Sequence, residues 1–184
     1  LVFTSHHILL DGWSNSRMLG EVLQRYSGHG LAAGKRYRDY IEWLQRQDAS
    51  VAQDFWRGQL AALDEPTRLV PVFKAPLSGE GFAERMLTLD RGQTRDLNDF
   101  ARTQRVTANT LLQAAWLLLL QRYTGQAGEN FRATVAGRPA DLPGVEEQLG
   151  LFINTLPVVG RPRVEQRVAE WVQQVQAQNL ALRE

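Results

Sequence analysis

The stretch ANTLLQAAWLLLLQRYTG (108–125) constrains the fold of this chain more than any other. Thr107 stands before it as an N-cap and Gly125 closes it, so it forms one helix. Leu, Ala and Trp fall on nearly every face of that helix, and a helix apolar all round belongs inside a core. Its run Leu117 to Leu120 is far too short to span a bilayer, so the chain itself has to supply the burial. With 184 residues, 43% of them hydrophobic, there is enough material for one largish domain or two small lobes.

The rest of the pattern supplies partners for this helix. Residues 2 to 10 read as a buried strand, with Val2, Phe3, Thr4 and Ile8 giving β-branched and aromatic character. Period-two alternation then sends His6 and His7 to opposite faces. Beyond Asp11-Gly12, Ser14 is the expected N-cap of a helix carrying Met18, Leu19, Val22, Leu23 and Tyr26 and stopped by Gly28. Amphipathic stretches follow around Tyr37, Tyr40, Ile41 and Leu44, then around Val51, Phe55, Leu60 and Leu63. Prolines and glycines interrupt 66 to 81, which marks a junction between two parts.

After the junction, ERMLTLD (84–90) is a strand candidate and a helix is expected near 93–104. FRATVAG (131–137) alternates like a strand, GRPADLPG (137–144) is a loop, and LFINTLPVV (151–159) is strand-like. Pro157 places that last strand at an edge, an end or a bulge. Val168, Trp171, Val172 and Val175 recur at helical spacing. Trp116 and Trp171 are core candidates, and the chain shows neither internal repeats nor low-complexity segments.

Charge narrows the partners. There are 21 basic and 20 acidic residues, a formal net charge of +1, so no strong field draws the chain to nucleic acid or to an acidic membrane. The absence of cysteine removes disulfides, thiolate nucleophiles and cysteine metal sites. No basic segment followed by an apolar one opens the chain, so a soluble, cytoplasmic protein is expected. Residue 1 is Leu and strand-like sequence begins at once, which suggests a piece of something longer whose first strand has an unpaired edge.

Two of the three histidines stand side by side in SHHILLDGWS (5–14). An imidazole, with an ordinary pKa near ~6.5, accepts a proton from an incoming amine or hydroxyl near neutral pH. Asp11, four residues beyond His7 and across a turn, either orients that histidine or forms an ion pair with an arginine and shapes the loop. Gly12 removes a side chain beside the imidazole and lets a substrate or backbone come close. Adjacent histidines on a strand point apart and His29 lies beyond the next helix, so no metal site is expected. Trp13 is expected to pack and Ser14 to cap. On the pattern alone, a purely structural pair of core histidines remains the competing reading.

HHILLDGWS resembles the His-His-x-x-x-Asp-Gly signature of the condensation domains of nonribosomal peptide synthetases, in the chloramphenicol-acetyltransferase-like superfamily. Later blocks agree in order: YRDYIEWLQRQD (37–48), FWRGQLAALDEP (55–66), VTANTLLQAAWLLLLQRYTG, ATVAGRPADLPGVEEQLGLFINTLPVV (133–159) and the final amphipathic helix. The resemblance covers essentially the whole chain. It implies an α/β fold, the chloramphenicol-acetyltransferase-like pair of lobes with a tunnel between them. Here the first lobe is incomplete and most of the second is present: 1–65 as the end of the first lobe with the motif, 66–83 as the junction, 84–184 as the second lobe.

The resemblance further implies acyl transfer from a donor carrier-protein thioester to the amine of an acceptor aminoacyl carrier protein. His7 is then the catalytic histidine, as base, positioner or electrostatic stabiliser. His6 and Asp11 hold the loop, with an arginine expected for Asp11 in material before residue 1. Gly12 and Asn154 bind substrate, while Asn154 and Arg138 also have a structural reading. No cofactor binds the domain directly; substrates ride on the 4'-phosphopantetheine of donor and acceptor peptidyl carrier proteins, with an adenylation domain as neighbour and no nucleic acid or membrane. SHHILLDGWS leans slightly toward members that accept a D-configured donor, with an L-configured or dual epimerization and condensation type still open. Arg132 departs from the small residue usual before ATVAGR. Two other readings compete: a non-catalytic carrier-docking module, and an epimerization domain in which the histidine exchanges an α-proton.

Overall fold

A computed structural model describes residues 2–61, 63–72 and 84–182. Helices dominate: α1 (Gly12–Tyr26), α2 (Tyr37–Gln45), α3 (Ala49–Leu60), α4 (Arg91–Gln104), α5 (Ala108–Thr124) and α6 (Val168–Ala181). Strands β1 (Glu129–Ala136) and β2 (Ile153–Gly160) pair as a two-stranded sheet, and single 3-10 turns occupy Val70–Val72 and Val145–Glu147. Among the described residues no helix is long and apolar enough to cross a membrane. The chain forms two compact units, one from Leu1–Phe55 with Arg132–Leu156, the other from Trp56–Phe131 with Pro157–Glu184. Most of the proline- and glycine-rich junction, 73–83, lies outside the described residues.

The second unit is built as its longest helix requires. The Thr107 hydroxyl accepts from the Thr110 amide at 3.1 Å to start α5, and Gly125 at φ 71° ends it in the left-handed region that glycine enters without steric cost. Ala114, Leu117 and Leu120 of α5 meet Ala101 of α4 and Trp171, Val172 and Val175 of α6 in the core, with Val158 and Val159 from the end of β2. The Trp171 indole N–H donates to the Ala114 carbonyl at 3.1 Å, so a large buried ring leaves no polar atom unmet. Gly160 passes so close that an added Cβ would sit 2.7 Å from both Leu117 Cδ1 and Trp171 Cη2. Trp116, expected in this core, is instead 43% exposed, because α5 buries only the face that meets α4 and α6.

In the first unit the core centres on Phe152, which is 2% exposed. Tyr37 meets its ring edge-on at 5.2 Å between centroids and Tyr40 lies tilted at 4.8 Å. The Tyr37 hydroxyl donates to the Leu151 carbonyl at 2.7 Å, and its ring lies so tightly over Gly150 that any Cβ there would overlap it. Helix α2 thereby clamps the 150–152 segment.

Two expected strands do not form. Residues 2–10 run without a ladder partner and turn at His7–Leu9, where the Leu9 amide donates to the His6 carbonyl at 3.0 Å. Residues 84–90 likewise lack a ladder and are exposed. β-propensity describes a residue that suits a pleated surface; the neighbouring strand that would make one is absent among the described residues.

Candidate functional site

The centre of the His-His-x-x-x-Asp-Gly segment is its aspartate. Asp11 is 2% exposed and is the N-cap of α1. Its Oδ1 accepts from the Ser14 amide at 2.8 Å and its Oδ2 from the Phe152 amide at 3.0 Å, while its own amide donates to the Gly150 carbonyl at 3.1 Å. The Arg138 guanidinium stands 3.8 Å from Oδ1. Burial pushes the carboxyl up, but the Ser14 and Phe152 donors and the Arg138 charge together hold it below the usual carboxylate range. Both oxygens are thus taken by the scaffold, and neither partner is a histidine.

Ser14 completes the node. The helix it is expected to cap starts earlier, on Asp11, and Ser14 is wholly buried in the first turn. Its hydroxyl donates to the Gly150 carbonyl at 2.8 Å and accepts from the Gly150 amide at 3.1 Å and from Arg138 Nη2 at 3.0 Å. One donor and two lone pairs are all used. Arg138 Nη1 donates to the carbonyls of Val145 and Gln148, the latter at 3.1 Å, and its guanidinium carbon lies 3.8 Å from the centre of the Phe152 ring. The arginine expected for Asp11 before residue 1 is therefore Arg138, supplied from the loop after β1. Sequence reading missed Ser14 as the link between α1 and that loop; a small hydroxyl three residues past a capping Asp was the available signal.

Among the described residues, neither histidine shares a hydrogen bond with this node. His6 and His7 are both exposed, and they do not point to opposite faces of a strand because there is no strand. His6 Nδ1 accepts from the Ile8 amide at 3.1 Å, which fixes that ring on its own turn. Such a bond requires Nδ1 to carry a lone pair. His7 is the second residue of the turn closed by the Leu9 amide on the His6 carbonyl, and it is exposed. Gly12 is exposed, with open space where a Cβ would stand.

Asn154 and Trp13 remain. Asn154 is exposed on β2, where its Oδ1 accepts from the Thr155 amide at 2.7 Å. Trp13, expected to pack, is 60% exposed, held by an indole N–H bond to the Glu146 carbonyl at 3.4 Å with the Arg138 guanidinium 6.0 Å from its ring.

A family model described as Condensation domain matches residues 1–184. One of the linear gramicidin synthase proteins of Brevibacillus parabrevis is 43% identical over 192 residues, covering 100% of this chain and 4% of its own length. Chondramide synthase of Chondromyces crocatus is 38% identical over 190 residues, covering 100% of this chain and 5% of its own length. The first condensation domain of the calcium-dependent antibiotic synthetase, solved with a substrate analogue, matches 96% of this chain and 41% of its own with a TM-score of 0.70 at 25% identity. The condensation domain from the Monacolin K polyketide synthase matches 96% of this chain and 43% of its own with a TM-score of 0.75 at 17% identity. The chain thus spans less than half of these solved domains and a small fraction of the synthases.

Proposed function

The chain belongs to the condensation-domain family, and on that premise we propose that it serves peptide-bond-forming acyl transfer in nonribosomal peptide synthesis. The observation that carries the reading is the family match over the whole chain, with the His-His-x-x-x-Asp-Gly segment intact and its aspartate locked into the scaffold. The substrates are an acyl thioester on the phosphopantetheine of a donor carrier protein and an aminoacyl thioester on that of an acceptor, and an adenylation domain neighbours them in the same cytoplasmic assembly. The acceptor amine nitrogen bonds to the donor carbonyl carbon, the carbon–sulfur bond breaks, and the thiol leaves with the proton. Activation is already stored in the thioester, so the step calls for no metal or nucleotide.

His7 is the group we assign to that proton or to the charge that replaces it. It is exposed and an amine can reach it, whereas Asp11 is committed to Ser14, Phe152 and Arg138 and serves as scaffold. His6, turned onto the Ile8 amide, is likewise scaffold. Gly12 leaves space for the reacting groups, and Asn154 offers an exposed amide to substrate.

The test is single-turnover amide formation between loaded donor and acceptor carrier proteins, read by intact-protein mass spectrometry, in the longest natural chain carrying these residues. His7→Ala is expected to lower the rate by about 10²-fold or more, the typical share of a positioned acid or base. A rate within about twofold of the parent would remove His7 from the chemistry. Absence of product from the unmutated protein, with carrier binding retained, would favour a docking module instead.

A further inference from the structure

Residues 63–72, between α3 and α4, lie in the second unit and contain no fully buried side chain; Leu63, Leu69 and Val72 are half-buried and Val70 is 74% exposed. Polar groups tie the segment down. Asp64 Oδ2 stands 3.1 Å from Arg161 Nη2, an ion pair with both partners exposed. The Thr67 hydroxyl donates to Glu129 Oε2 at 2.6 Å and accepts from the Asn130 amide at 2.9 Å. Glu129 is wholly buried at the start of β1, and its other oxygen accepts from the Thr124 hydroxyl at the end of α5. Among the described residues no ion pair includes Glu129; two threonine hydroxyls meet its carboxylate.

We infer that 63–72 is a strap clasped on Glu129, able to open as a unit while the helical core of α4, α5 and α6 stays folded. Segments that bury apolar surface unfold with the core they help to build, whereas a segment held by a few polar contacts opens locally. The clasp has one consistent polarity. A carboxylate only accepts, so both threonines donate to it, and that orientation leaves the Thr67 lone pairs facing the Asn130 amide. Glutamine at 129 offers one acceptor and one donor, so one of the two hydroxyls must reverse. If it is that of Thr67, that oxygen is crowded by donors. If it is that of Thr124, whose oxygen already accepts from the Gln126 amide at 3.1 Å, the Thr67 clasp persists, so the change that removes the clasp outright is one at Thr67 itself.

Hydrogen exchange followed by mass spectrometry on the full chain tests this without reference to acyl transfer. Thr67→Val is expected to speed exchange in 63–72, where the Leu63 and Val72 amides each donate to a carbonyl at 3.0 Å, by roughly tenfold or more, the effect of losing one hydrogen bond to a charged acceptor. Peptides from α5 and α6 should exchange as before. Asp64→Asn, which removes the exposed pair, is expected to change the segment by less than about threefold. Exchange of 63–72 in Thr67→Val within about twofold of the parent, or an equal acceleration of α5 and α6, would overturn the inference.

Discussion

A carboxylate as deeply buried as Asp11 keeps its charge only while its donors remain in place. Its folded pKa is depressed, so folding is favoured wherever the unfolded chain would bind the proton and the native chain does not. The sign follows: the contribution of Asp11 is complete above about pH 5 and is lost as the pH falls through ~4 and below. Urea unfolding at stepped pH should therefore show stability declining on the acid side of about pH 4. Asp11→Asn should flatten that part of the decline and lower stability at pH 7 by about 3 kcal/mol, since it leaves an amide NH2 against the Phe152 or Ser14 N–H and strands the Arg138 charge. An Asp11→Asn protein with unchanged neutral-pH stability would mean that Arg138 and Ser14 hold the node without it.

Elements with their stop signals written locally were legible in the sequence, and those depending on distant partners were not. Thr107 and Gly125 bracket α5 because a hydroxyl cap and a left-handed glycine act within a few residues of themselves. The first strand failed for the opposite reason: Val2, Phe3, Thr4 and Ile8 suit a sheet, but nothing in their own spacing says whether another strand lies alongside. At the candidate site, the residues alone left Asp11 either orienting His7 or pairing with an arginine, and the family resemblance pointed to the arginine. That Arg138 is this arginine was not legible, because the loop after β1 is far from Asp11 in the chain and comes beside it only in the tertiary fold. Asp11 rather than Ser14 caps α1, and the serine hydroxyl is instead taken by the Gly150 amide and carbonyl. The same dependence on surroundings separates two glycines. Gly160→Ala is expected to cost about 1–3 kcal/mol by forcing Leu117 and Trp171 apart. Gly20→Ala, in α1 with open space at its Cβ, is expected to gain roughly 0.5–1 kcal/mol from helix propensity alone. Thermal melts of both proteins should move in opposite directions, and a shared direction would place the controlling effect in the unfolded chain.

For the molecule as a whole, the question is where its uncovered apolar surface lies. On α1, Leu19, Val22, Leu23 and Tyr26 recur at the spacing of one helix face and are 43%, 48%, 65% and 90% exposed. On α5, Leu112, Trp116 and Leu119 form a second stripe at 61%, 43% and 43%. Single exposed apolar residues are ordinary, but stripes of this kind on a chain with a net charge of only +1 have little electrostatic repulsion to keep copies apart. The 184-residue chain in isolation is therefore expected to self-associate, with a sedimentation coefficient that rises with concentration across the micromolar range. Leu19→Lys with Leu23→Lys should weaken that association several-fold, because both substitutions fall on exposed positions of the α1 stripe and touch neither the Asp11 node nor the α4–α6 core. Their helix propensity is close to that of leucine, so the melting temperature should stay within a few degrees. A chain that sediments as a monomer at all concentrations would show that these stripes are too small or too divided to bind one another. An association insensitive to the two lysines would move the contact to the α5 stripe, where Leu112→Lys is the corresponding substitution.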